Sequence, residues 1–179
     1  MIKIEFDPAD LKRVKNALKT LRSEIRSEVE ECPRRMAEGY KREIIRNILT
    51  QRYKWNYAPY DERYKKWKEK VGMANRGFWI LTGDLMLALS VNRFTEGYFS
   101  GILSNVTDMG GKSWFGNMDK GPSKNIAAYG WIMERGGNFG KGGDHPKRAL
   151  FEPTFNDFKA KQALTILKVS ANKIAGAWR

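Results

Sequence analysis

The chain has 179 residues and a formal charge of +13, from 33 basic against 20 acidic side chains, with 41% hydrophobic and 12% aromatic residues and one cysteine. That length and composition suit one folded domain around one core rather than a disordered chain. The single Cys32 excludes an internal disulfide and a thiolate-rich metal site, and no apolar run of 18 residues offers a membrane span.

Met1-Ile2-Lys3-Ile4-Glu5-Phe6 lacks the pattern of a secretory signal, so a cytoplasmic origin is expected. After the Ile2/Ile4/Phe6 alternation, Asp7-Pro8-Ala9-Asp10 supplies an N-cap, a proline at the first helical position and an acid in the first turn. Apolar residues then fall at Leu11, Val14, Leu18, Leu21 and Ile25, and the next position of that stripe is Glu28. A one-residue shift follows, and Val29, Cys32, Met36, Tyr40, Ile44, Ile45, Ile48 and Leu49 carry the stripe onward. Pro33 predicts a break or sharp kink, with a second helix opening there. Residues 11–25 have coiled-coil spacing, but two heptads fall short of the usual three or four, so packing on the domain's own sheet is the favoured expectation. Cys32 is expected to serve as a small apolar residue on a helix face.

Residues 52–72 interleave Tyr53, Trp55, Tyr57, Tyr60, Tyr64 and Trp67 with Arg52, Lys54, Arg63, Lys65, Lys66, Lys68 and Lys70. Pro59-Tyr60-Asp61-Glu62 marks a helix start that puts Tyr60, Tyr64, Trp67 and Val71 on one face and the lysines on the other. Exposed rings among cations would form a stacking platform for single-stranded nucleic acid; the spacing instead favours burial of the aromatic face. Leu85-Met86-Leu87-Ala88-Leu89, after the turn Thr82-Gly83-Asp84, reads equally as helix or strand. Thr95-Glu96-Gly97 is a turn before a strand through Tyr98-Phe99-Ser100-Gly101-Ile102-Leu103, and a small antiparallel sheet is expected.

Residues 106–126 are glycine-rich, aperiodic and too long for an ordinary connection, as expected of a loop that serves contacts or stays mobile. A second glycine-rich stretch, Gly136 to Gly143, precedes His145 through Pro153, and Phe155, Phe158, Leu164, Ile166, Leu167, Ile174 and Trp178 trace a terminal helix. The expected layout is a single α+β domain over 1–179. It comprises N-terminal helices in 1–51, a helix and then sheet in 52–105, the loop 106–126, and a strand and C-terminal helix in 127–179.

No reaction chemistry stands out. His145, directly before a proline in a glycine-rich loop, has no second histidine and no cysteine near it in sequence, and no Gly-x-Ser-x-Gly turn marks a nucleophile. Gly136 to Gly143 fails the phosphate-loop pattern twice, with Arg135 in place of the first glycine and Gly142 in place of Ser or Thr. The acids form no paired-carboxylate constellation. The expectation is no enzyme, no cofactor, and no catalytic or metal residue.

Three segments, in this order, resemble the tail-completion and virion-morphogenesis proteins of tailed bacteriophages, including the Mu-type morphogenesis family and related minor tail components. The first is Trp67-Lys68 leading to Ile80-Leu81-Thr82-Gly83-Asp84-Leu85. The second is Tyr129-Gly130-Trp131-Ile132-Met133-Glu134-Arg135-Gly136-Gly137. The third is Pro146-Lys147-Arg148-Ala149-Leu150-Phe151-Glu152-Pro153, similar to a strand that leads into a terminal helix, with Ala149 where the family has proline. The resemblance implies about four antiparallel strands with helices on one side. It also implies a virion subunit at the head-to-tail neck or tail end, forming a ring with neighbouring copies, six by expectation, and touching other neck and tail proteins. Transient contact with DNA, no membrane and no cofactor complete that expectation.

By composition and position, Leu81, Leu85, Leu150 and Phe151 are the expected structural core, with Arg148 helping to hold the sheet against the terminal helix. Lys112, Trp114, Phe115, Lys120, Phe139, Lys141 and Arg148 are the expected interface residues, on or beside the two glycine-rich loops. The alternative is a basic nucleic-acid-binding protein, motivated by the +13 charge and the aromatic-basic segment.

Overall fold

A computed structural model describes residues 7–59, 62–70, 72, 77, 84–95, 97–102, 130, 133–138 and 144–177. They are mostly helical, with short antiparallel strands, an α+β architecture. Helix α1 runs Pro8–Thr50, 43 residues, or about 65 Å at 1.5 Å per residue. Its start follows the local sequence: the Asp7 side chain accepts a hydrogen bond from the Ala9 N–H at 2.8 Å. It ends at Gln51, whose left-handed backbone (φ 52°) lets its N–H reach the Asn47 and Ile48 carbonyls.

The break expected at Pro33 does not occur; α1 is continuous through it. The proline forfeits one bond, to the Val29 carbonyl, on an exposed stretch where Val29 itself is 65% accessible and water can substitute. Ion pairs also straddle the site. Arg35 bonds Glu28 across two turns, and Arg34 bonds Glu31 and Glu38 at 2.5 and 2.7 Å.

A second correction concerns the first half of α1. Leu11, Val14, Leu18 and Ile25 are 41–57% exposed, so among the described residues, 8–27 form an arm that does not pack on a sheet. Burial begins at Glu28 and continues through Cys32, Ala37, Gly39, Ile44 and Ile48, while Val29 and Leu49 of the expected stripe face outward.

A 3₁₀ turn, Lys54–Asn56, leads toward α2 (Glu62–Lys70). Helix α3 (Asp84–Ala88) resolves the ambiguous apolar segment as helix up to Ala88, and Leu89 starts a strand. Strands β1 (Leu89–Phe94) and β2 (Gly97–Ile102) form an antiparallel hairpin, with Leu89 opposite Ile102 and Phe94 opposite Gly97. Strands β3 (Gly137–Asn138) and β4 (Asp144–His145) make a separate two-residue ladder. The described residues thus form two two-stranded sheets where one sheet of about four strands was expected. A lone hairpin is marginal in water, and this one lies on the C-terminal half of α1.

Helix α4 (Phe151–Phe158) continues through a π turn, Lys159–Ala163, into α5 (Leu164–Gly176), which packs back along α1. The helix begins at Phe151, so Phe151 opens a helix rather than closing a strand. Gly39 permits the close approach: a Cβ built there would meet the Phe158 ring at 3.0 Å. The core gathers Ile44, Ile48, Leu85, Ala88, Leu89, Met133 and Leu150, with Tyr40, Tyr53, Tyr57, Ile102 and Phe151 packed around it.

Candidate functional site

Helix α4 starts without a capping side chain of its own, because Leu150 occupies the N-cap. The orphan donors of a first turn need an acceptor from elsewhere. Glu134, in a helical turn at 133–135, supplies it: its carboxylate accepts the N–H groups of Leu150 at 2.7 Å, Phe151 at 3.0 Å and Glu152 at 2.9 Å. Negative charge at a helix N-terminus also complements the dipole.

The stretch leading into α4 is gripped at each residue. The Arg148 N–H donates to the Met133 carbonyl at 2.7 Å, and the Tyr57 hydroxyl donates to the Ala149 carbonyl at 2.8 Å. The Tyr40 hydroxyl donates to the Phe151 carbonyl at 2.8 Å. One turn on, the buried Asn47 amide donates to Thr154 Oγ1 at 3.0 Å. Asp157 takes the Tyr53 hydroxyl at 2.9 Å and the Arg52 guanidinium at 3.0 Å. Burial pushes the Tyr40 hydroxyl well above its usual range, and burial followed by the bond to Asp157 raises Tyr53. Beside this corner lies an open pocket of about 400 Å³, with Tyr53, Asn56, Tyr57, Lys147, Glu152 and Asn156 in its wall.

A second polar cluster joins α1 to α5. Buried Glu28 bonds Arg35 and sits 3.2 Å from Lys173, while Arg35 also donates to Ser170 at 2.7 Å. The Arg35 bond is the largest cause holding the Glu28 carboxyl down to about 2, against the opposing effect of burial.

Of the expected core residues, Leu85 and Leu150 are buried, Phe151 is half-buried at the core's edge, and Leu81 lies outside the described residues. Arg148, expected at an interface, is 4% exposed, with its guanidinium reaching the Ala58 and Pro59 carbonyls at 3.3 and 3.5 Å. Its position therefore serves the domain's interior. Lys112, Trp114, Phe115 and Lys120, with the whole of 106–126, lie outside the described residues, as do Phe139 and Lys141.

The aromatic-basic segment divides. Tyr53 and Tyr57 turn inward, and Trp55 stands 86% exposed with the Lys54 ammonium 4.6 Å above its ring. Lys68, assigned to the solvent face, is buried instead. The side chains of Tyr60, Tyr64, Trp67 and Val71 lie outside the described residues. Among the described residues, no group of three or more His, Cys, Asp or Glu is arranged to hold a metal ion, and no helix is long and apolar enough to cross a membrane.

The residues missed from sequence are the locks: Glu134, Tyr40, Asn47, Thr154 and the Glu28 cluster. One signal was present, since Ala149-Leu150-Phe151 offers no capping side chain before a clear helix and the cap had to come from a distant acid. Compared with known proteins, the chain matches no family model, no curated protein and no solved structure.

Proposed function

We propose that the chain is a structural subunit of a tailed-phage particle, a tail-completion or head-to-tail joining protein that assembles into a ring at the neck or tail end. One observation carries the reading beyond the resemblance. The three segments that bear it, far apart in sequence, meet in one core: Leu85, Met133 and Leu150 share the buried cluster, and Glu134 is bonded to residues 150–152. Segments of a common fold should converge in this way. In such a subunit β1–β2 would be half of the four-stranded sheet. Residues 106–126 and 136–145 would be the segments that meet neighbouring copies or the next ring. Each ring contact should bury at least about 1,000 Å².

The test is the solution mass of the purified protein by light scattering, with and without DNA, at low and moderate salt. A ring-sized species, or a mass indifferent to DNA, supports the joining role. Deleting 112–122 should leave a folded chain that no longer builds particles; infectious particles from that deletion would overturn the loop assignment. The second reading, nucleic-acid binding, rests on exposed Trp55 under Lys54 and on the +13 charge. It requires a DNA complex that dissolves steeply with salt.

A further inference from the structure

The arm of α1 carries an exposed apolar stripe. Its stripe repeats every three and four residues, Leu11, Val14, Leu18, Leu21 and Ile25, the spacing of a coiled-coil seam. Leu11, Val14 and Leu18 are at least half exposed and Ile25 is 41% exposed, whereas Glu28, the next seam position, is buried against α5 of the same chain. The chain's own helix thus covers the stripe at residue 28, while over the two heptads before it Leu21 is half-buried and the other four seam positions are exposed.

We propose that this arm pairs with the same arm of a second copy, the two helices side by side and parallel. The flanks of the seam choose the occupant and its direction. Lys15 and Arg22 border one side, with Lys12, Lys19 and Arg26 behind them; Asp10, Ala17 and Glu24 border the other. In a parallel pair each helix presents one flank to the opposite flank of its partner, five residues further on. Asp10 then meets Lys15 of the second copy, and Ala17 leaves room beside Arg22. An antiparallel pair would set Lys15 against Arg22 and Asp10 against Glu24, with like charges on both sides. Two heptads are short of the three or four that sustain a coiled coil alone, and the buried area falls below a standard interface. The pair is therefore weak and concentration-dependent. Its residues differ from those assigned to ring contacts, so it stands or falls apart from the joining role.

Salt separates self-pairing from capture of the arm by an anionic surface. Residues 8–27 carry six basic and two acidic side chains, so two arms repel and screening strengthens their pairing. Binding to nucleic acid or anionic lipid weakens with salt instead.

The experiment is sedimentation equilibrium of the full chain across a concentration series at low and high salt. The mass should rise from one chain to two, more readily at high salt. V14D/L18D should weaken the pair at least about 100-fold, since each tenfold needs only about 1.4 kcal/mol. Its thermal melt should stay unchanged, because both positions lie on the free surface. In a C32A background, V14C should cross-link the pair under mild oxidation, as the two seam positions face each other only in parallel arms. A monomer at every concentration, a dimer indifferent to V14D/L18D, or a V14C dimer that does not cross-link would each overturn the proposal. So would arm-dependent binding to anionic vesicles at low salt with no dimer in solution.

Discussion

Replacing Glu134 by alanine removes one acceptor group from three backbone donors at once. Its carboxylate lies 2.7–3.0 Å from the N–H groups of Leu150, Phe151 and Glu152. A lost cap costs about 0.5–2 kcal/mol, a hydrogen bond to a charged group contributes about 1.5–3, and the dipole interaction adds about 0.3–1. These do not add in full. Glu134 is half-exposed and the Glu152 end is open, so water recovers part of the loss. The expected cost of Glu134→Ala is about 3 kcal/mol, or a fall in Tm of roughly 6–12 °C for a domain of this size. Glu134→Gln keeps one acceptor oxygen and should fall about midway. Urea denaturation followed by circular dichroism measures both, with exposed Glu152→Ala as the control. A Glu134→Ala change below about 0.5 kcal/mol, within the range of an ordinary surface substitution, would refute the capping role and leave α4 anchored by its apolar face alone.

Other outcomes follow from the same packing. Leu150→Ala should cost about 2–5 kcal/mol, because Leu150 is 1% exposed in the core. Phe151→Ala should cost less than the 3–5 kcal/mol typical of a buried phenylalanine, since its ring sits at the core's edge; the reverse order in urea melts would contradict that placement. Pro33→Ala should stabilise the chain by about 1–2 kcal/mol, the regained helix bond outweighing the freedom returned to the unfolded chain, and a loss of stability would contradict the exposed, braced geometry. Glu28 has a folded pKa of about 2 against an ordinary 4.5, so its stabilisation is complete above about pH 4.5 and is lost as pH falls through about 2. The stability gap between wild type and Glu28→Gln should therefore close across that window, and a gap constant with pH would show that the ionised form is not the one stabilised.

Helical periodicity in the sequence was enough to locate α1 and the terminal helix, because an apolar stripe and a capping motif are local properties. What the stripe packs against is not local. Leu11 to Ile25 and Ile44 to Ile48 look alike on a helical wheel, yet the first set is open and the second is core. Pro33 misleads for a related reason: a proline's effect depends on whether the carbonyl it deprives is buried. Here neighbouring ion pairs and solvent let the helix run on. Arg148 shows the limit of charge as a guide to surface, since backbone carbonyls of residues 58 and 59, about 90 positions away, accept from its guanidinium. Glu134 was visible as the acid of the segment Tyr129 to Gly137, but its role needs the distance to α4.

The phase shift at Glu28 connects these observations. Along α1 the seam positions run 11, 14, 18, 21, 25 and then 28, where an aliphatic residue would extend the arm's seam straight into the α5 contact. A carboxylate there does the opposite. Arg35 reaches it from two turns further along α1 itself, whereas Ser170 and Lys173 come from α5, so sliding α5 by one turn, about 5.4 Å, would take both of those away and leave the buried carboxylate with one cation instead of two. Aliphatic packing alone tolerates such slips, whereas a buried ionic cluster does not, and fixing register is its best-attested use. Glu28 therefore separates two uses of one helix: C-terminal to it α1 packs on its own chain, and N-terminal to it the same stripe stands exposed.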